Sequence, residues 1–125
     1  MQHTNEFLKL VMNAKNNIEE VSVDYTNELM NNKTVNQDYY LIDVREDNEW
    51  DDGYIIHALH MSKGTIERDI EKKISNKDIE LVLYCKSGYR SILAADTLKK
   101  MGYTNVKSMA EGFNGWIQKQ YPIVD

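Results

Sequence analysis

Apolar positions in this chain fall into two rhythms, one helical and one of strands. Phe7, Val11, Ala14 and Ile18 recur at helical spacing and predict an amphipathic helix over residues 4–17. Ser22 has the chemistry of an N-cap and predicts a second helix running through Met30. Tyr40-Leu41-Ile42-Asp43-Val44 reads instead as a strand that ends in charge. The acidic residues 47–53 form a short helix or turn closed by Gly53, and residues 64–75 hold another short helix. The clearest unit comes next. Residues 80–84 are a strand, and residues 91–101 a helix with Ala94, Ala95, Leu98 and Met101 on one face. Lys99 and Lys100 suit the C-terminal end of that helix dipole, and Gly102 suits the position just beyond it. Residues 105–109 form a further strand, residues 112–120 a closing helix, and the sole proline, Pro122, follows it. Strand, helix and strand in that spacing imply a parallel pair joined by a right-handed crossover. The alternation along the chain therefore predicts an α/β sandwich with a mainly parallel sheet.

Length and charge narrow the classes. A chain of 125 residues holds one core. The net charge of −5 and pI of about 5.2 argue against general binding to nucleic acid or to a membrane surface. No apolar run is long enough to span a bilayer, and Met1-Gln2-His3-Thr4-Asn5-Glu6 lacks the basic start and apolar core of a secretory signal. One cysteine cannot form an internal disulfide, so a reducing cytoplasm is the expected compartment.

That cysteine is the main candidate for chemistry. Leu81-Val82-Leu83-Tyr84 is continuously apolar and ends at Cys85, after which Lys86-Ser87-Gly88-Tyr89-Arg90-Ser91 leads into a helix. A thiol between a strand end and a helix N-terminus meets converging backbone N–H groups, which favour a thiolate and bind anions. Parallel sheets place ligands at the carboxyl ends of their strands, and Asp43 and Cys85 both lie at such ends. His57 and His60 stand three apart without a second cluster of ligands nearby, so no metal site is expected. Trp50, Phe113 and Trp116 are read as core or rim aromatics, and the acidic stretch 47–52 as a solvated face.

Three motifs, in order, resemble those of rhodanese domains. Leu41-Ile42-Asp43-Val44-Arg45-Glu46-Asp47-Asn48-Glu49-Trp50, followed by Gly53-Tyr54-Ile55 and Ala58, is similar to the family's opening motif. The loop from Cys85 to Arg90 resembles its active-site loop, and Glu111-Gly112-Phe113-Asn114-Gly115-Trp116 its closing motif. The likeness runs from about Val21 to Pro122. It implies a three-layer sandwich, a central parallel sheet flanked by helices, with a cysteine that carries sulfur as a persulfide. It also divides the chain into a helical extension over residues 1–20 and a rhodanese-like domain over residues 21–125. Four places depart from the pattern: Tyr54 where His is usual, Ile56-His57 where Pro-Gly is common, Glu111 for a Gly, and Ser62-Lys63-Gly64 for Pro-Arg-Gly.

The implied chemistry centres on the loop. Four residues separate Cys85 from Arg90, and successive N–H groups of such a loop can form a nest for a thiolate or a persulfide sulfur. Gly88 permits the backbone turn, Ser87 is placed to donate a hydroxyl bond to the bound sulfur, and Ser91 is expected to cap the following helix. Lys86 and Arg90 supply positive charge for an anionic donor, with Tyr89 beside them and Lys63 as a further candidate. Arg90 serves either the substrate or the loop itself, pairing in the second case with Asp43 or Glu49. Asp43, Arg45 and Glu49 are read as scaffold. The expected partners are thiosulfate or polysulfide as donor, cyanide or a thiol as acceptor, and a protein acceptor as an extension of the latter. No cofactor, nucleic acid or membrane is expected, and the chain is expected to be a monomer or homodimer. The N-terminal stripe is expected to pack on its own domain. Two other functions compete: a non-turnover persulfide carrier or docking module, and a cysteine phosphatase or arsenate reductase. Phosphatase loops of that kind place five residues between Cys and Arg, so the present loop is short for a tetrahedral oxyanion.

Overall fold

The computed structural model describes residues 3–125; Met1 and Gln2, the start of the expected extension, lie outside the described residues. In chain order the elements are α1 (Asn5–Lys15), β1 (Glu19–Val21), α2 (Val23–Asn32), β2 (Tyr39–Asp43), α3 (Asp47–Asp51), β3 (Tyr54–Ile55) and β4 (Leu59–His60). They continue with α4 (Ile66–Lys73), β5 (Glu80–Tyr84), α5 (Tyr89–Lys100), β6 (Val106–Met109), α6 (Gly112–Gln118) and β7 (Ile123–Val124). Five strands form one sheet in the order β1-β6-β5-β2-β4, and every neighbouring pair in it is parallel. β3 and β7 form a separate antiparallel pair at the periphery.

Side-chain alternation in β5 divides the interior into two cores. Leu81, Leu83 and the following Cys85 face one side, with Val11, Ala14 and Ile18 of the N-terminal region, Ile66 and Ile70 of α4, and Ile92, Ala95 and Leu98 of α5. Val82 and Tyr84 face the other, with Val23 and Leu29 of α2 and Trp116 of α6. Helices thus cover both faces of a buried parallel sheet, the three-layer arrangement that the sequence resemblance implied. Among the described residues no helix is long and apolar enough to cross a membrane.

Local chemistry explains the boundaries. The Ser22 hydroxyl accepts the N–H of Tyr25 at 2.9 Å and caps α2 as expected. At α3 the cap is reciprocal: the Glu46 side chain takes the N3 N–H while Glu49 returns to the N–H of Glu46. α5 begins two residues earlier than the sequence suggested, with Gly88 as its N-cap, so Ser91 lies inside the first turn and does not cap the helix. β1, β3, β4 and β7 were not anticipated. Each is two or three residues long, and β1 shows Glu19 and Glu20 to solvent while burying Val21 alone.

The amphipathic stripe of α1 packs inward against α5: Val11 is 2% exposed while its neighbour Leu10 is 57% exposed. Truncating Val11 to Ala should therefore cost about 1–2 kcal/mol, and Leu10→Ala less than about 0.5 kcal/mol, by chemical denaturation. Equal effects at the two positions would show that α1 does not dock.

Candidate active site

The cysteine loop leaves β5 at the carboxyl edge of the sheet and turns into α5. Cys85 Sγ accepts the N–H of Gly88 at 3.2 Å and lies 3.5 Å from the Ser91 hydroxyl. That hydroxyl is itself 2.8 Å from the Ser108 hydroxyl, in the neighbouring strand β6. Gly88 sits at φ 102°, a conformation open to glycine, which carries the chain from the loop into the helix.

The loop's outer side is held by α6. The N–H of Phe113 donates to the carbonyl of Cys85 at 2.8 Å, and that of Asn114 to the carbonyl of Lys86 at 3.0 Å. A trans peptide points its N–H opposite its C=O, so the N–H groups of Lys86 and Ser87 face away from α6. Gly112 makes this approach possible: a Cβ there would lie 2.4 Å from the Cys85 carbonyl oxygen.

Arg90 closes the loop's far end. Its guanidinium donates to both oxygens of Glu49, at 2.6 and 3.0 Å. The Arg90 hydrogen bonds pull the Glu49 carboxyl down from 4.5 to about 2, against the opposing effect of burial, and the Glu46 N–H adds to the lowering. Asp43 is the partner of Arg45 instead. Both are buried, the Arg45 guanidinium reaches Asp43 at 2.8 Å and the Gly53 carbonyl at 2.7 Å, and it lies 4.2 Å from the centre of the Phe113 ring. Burial opposes the Arg45 charge, yet the hydrogen bonds and charge of Asp43 hold its pKa above the ordinary value. Beside this pair, Trp50 stacks between Tyr54 and His60, whose Nε2 is 2.9 Å from the Arg45 carbonyl.

Cys85 is 1% exposed but lies at the floor of a cavity of about 890 Å³. His3, Thr4, Phe7, Glu49, Lys86 and Tyr89 are among the residues lining it. A buried thiol that accepts an N–H, under a cavity open to small molecules, suits nucleophilic sulfur chemistry.

The rhodanese-like domain model matches residues 22–119, most of the chain. This chain belongs to the rhodanese-like family. In Bacillus subtilis, a relative provisionally named sulfurtransferase YtwF is 38% identical over 80 residues, 64% of this chain and 75% of its own. Another, provisionally named sulfur carrier protein YrkF, is 33% identical over 79 residues, 63% of this chain; the match spans only 42% of YrkF. The polysulfide-sulfur transferase homodimer of Wolinella succinogenes superimposes with a TM-score of 0.79 at 28% identity, over 96% of this chain and 88% of that one. A Rhodopseudomonas palustris protein of unknown function, described as a possible tyrosine phosphatase, superimposes with a TM-score of 0.85 at 27% identity over 99% and 98%.

Within this rhodanese-like fold, the residues singled out by sequence divide into three groups. Cys85, Lys86, Ser87, Tyr89, Arg90 and Glu49 meet around one cavity. Asp43 and Arg45 form a brace behind it. Lys63 donates its backbone N–H to the Val44 carbonyl and is not among the residues lining the Cys85 cavity. Ser91, expected as a cap, instead brings its hydroxyl to the thiol, while Ser87 stays exposed at the cavity wall. His3, Thr4, Phe7 and Asn114 were not anticipated as lining residues; the first three belong to a segment whose stripe signalled only packing.

Ionised Glu49 stabilises the folded state, since its folded pKa lies below its unfolded one. That contribution is complete above about pH 4.5 and is lost as pH falls towards about 2, a range worth at most roughly 3 kcal/mol. Denaturant titrations across that range should show a steeper loss in the wild type than in Glu49→Gln; identical slopes would detach the carboxylate from stability. Gly112→Ala should destabilise by about 2–4 kcal/mol through its collision with the loop carbonyls and its φ of 53°. A Gly112→Ala protein with unchanged melting would show that α6 does not hold the loop.

Proposed function

We propose that this protein is a sulfurtransferase working through a persulfide on Cys85. The observation that carries this reading is the thiol at the cavity floor, accepting the Gly88 N–H inside a loop of four residues closed by Arg90. In the first step the Cys85 thiolate attacks the outer sulfur of thiosulfate. A new S–S bond forms, the old one breaks, and sulfite leaves with its electron pair. In the second step a thiophile such as cyanide attacks the terminal sulfur of the persulfide, and the thiolate leaves as thiocyanate forms. A polysulfide donor follows the same course and leaves shortened by one sulfur. The Gly88 N–H stabilises anionic sulfur, Lys86 draws the anionic donor, and Arg90 holds the loop through Glu49. A lone buried cysteine in this role suits a reducing cytoplasm.

The names of YtwF and of the Wolinella protein support a sulfurtransferase, and that of YrkF supports a carrier. A carrier would load sulfur and release it only to a specific protein; turnover with thiosulfate and cyanide separates the two. The name of the Rhodopseudomonas neighbour favours a phosphatase as second reading. Against it, a loop with four residues between Cys85 and Arg90 is short for a tetrahedral oxyanion, and the Arg90 guanidinium is already engaged in two bonds by Glu49.

Intact-protein mass spectrometry after incubation with thiosulfate or polysulfide should show a reducible gain of one sulfur atom, absent in Cys85→Ser. Steady-state kinetics with thiosulfate and cyanide should follow a ping-pong pattern. Hydrolysis of a simple aryl phosphate by the wild type, lost in Cys85→Ser, would establish the phosphatase instead.

A further inference from the structure

Two fully buried hydroxyls, Ser91 and Ser108, form a short chain behind the thiol. Ser108 pairs in register with Leu83 of β5, and its side chain meets the first turn of α5. The two serine oxygens are 2.8 Å apart, and Ser91 Oγ is 3.5 Å from Cys85 Sγ, within reach of a bond to sulfur. A serine or threonine inside a helix often bonds back to the carbonyl one turn earlier, as Thr97 of α5 does to Leu93 at 3.2 Å. Ser91 makes no such bond: among the described residues its hydroxyl meets Ser108 and Cys85 alone. The surroundings are apolar, with Leu83, Ile92 and Ala95 in the same core. Placing the protons then fixes the direction of the chain. The two hydroxyls hold two protons, while a Cys85 thiolate holds none and only accepts. Were Ser91 to donate to Ser108, the Ser108 proton would be left in an apolar layer without an acceptor, at a cost in stability. Ser108 therefore donates to Ser91, and Ser91 donates to Cys85 Sγ.

We propose that Ser108 is a positioning residue for sulfur release: it fixes the Ser91 proton on Cys85 Sγ, where that proton stabilises the departing thiolate. The step balances. Cyanide attacks the terminal sulfur of the Cys85 persulfide, a C–S bond forms, the S–S bond breaks, and its electron pair passes to Sγ. Charge thus develops on the atom that the Ser91 hydroxyl faces, in a site closed to water, where a fixed donor acts most strongly. The Ser108 bond polarises the Ser91 hydroxyl and strengthens its donation. Neither serine is among the residues lining the cavity, so both act on Sγ from behind and leave the path of donor and acceptor unchanged. The proposal rests on the sulfurtransferase reading and assigns two residues within it.

The test is single-turnover release from the full chain, loaded to completion with polysulfide and then mixed with excess cyanide. The first-order rate constant of thiocyanate formation does not depend on how much of a variant is folded. Ser91→Ala should lower it about tenfold, the scale of one hydrogen bond to a charged group. Ser108 is read through a matched pair, Ser108→Thr and Ser108→Val. Both side chains are β-branched, suit a strand and share one shape, and only threonine keeps the hydroxyl. Any crowding is common to the pair, so their ratio isolates the hydroxyl. Ser108→Val should release sulfur about threefold more slowly than Ser108→Thr, and threonine should restore most of the wild-type rate. Equal rates in the threonine and valine variants, or a wild-type rate in Ser91→Ala, would overturn the hydroxyl chain and leave the sulfurtransferase standing. A wild type that takes up no sulfur on Cys85 would overturn both.

Discussion

Two backbone hydrogen bonds from the start of α6 hold the cysteine loop in shape. Phe113 and Asn114 take the carbonyls of Cys85 and Lys86, and the peptide planes they fix turn the loop's N–H groups the other way. A loop free to rotate those planes would present carbonyl oxygens to an anionic sulfur and repel it. The clamp depends on close approach, hence on Gly112, and on a well-seated α6. That seat comes from Trp116, fully buried, whose indole N–H donates to the Pro122 carbonyl at 2.9 Å, and from Gly115, which leaves no room for a Cβ beside Glu111.

Two ion pairs then position the loop relative to the sheet. Asp43 and Arg45 are buried and their polar atoms are shared with Gly53 and the Phe113 ring, so the pair ties the end of β2 to β3 and to α6. A buried pair contributes little net stability, but removing one partner strands the other charge and costs about 3–5 kcal/mol. The half-buried Glu49–Arg90 pair ties α3 to the first turn of α5. The site is thus built on the carboxyl ends of two adjacent parallel strands, β2 and β5.

Much of this was legible in the sequence because each signal was local. Leu81-Val82-Leu83-Tyr84 declares a buried strand, Ser22 a cap, and Cys85 to Arg90 a loop between strand and helix. The sequence offers Arg90 two acids, Asp43 and Glu49, and spacing alone does not choose between them, because the two diverge only once α3 turns. The edge strand β1 left no trace, since an edge position with one buried residue has no alternating pattern to read. Ser91 was misplaced because the helix starts at the glycine that turns the loop, and a serine one turn inside looks like a cap to any reading by composition. The aromatic wall was hidden by distance along the chain: His3 and Tyr89 are neighbours only because α1 lies on α5.

Glu111 and His57 occupy the left-handed region, at φ 68° and 70°, in two places where the family resemblance would have glycine. The fold therefore dictates the backbone there, and the sequence complies at a cost of about 1–2 kcal/mol per residue. Glycine would relieve that strain but widen the unfolded ensemble, returning roughly 0.5–1 kcal/mol of the gain. A small reserve of conformational energy thus sits in two surface turns, one of them immediately ahead of the helix that clamps the loop.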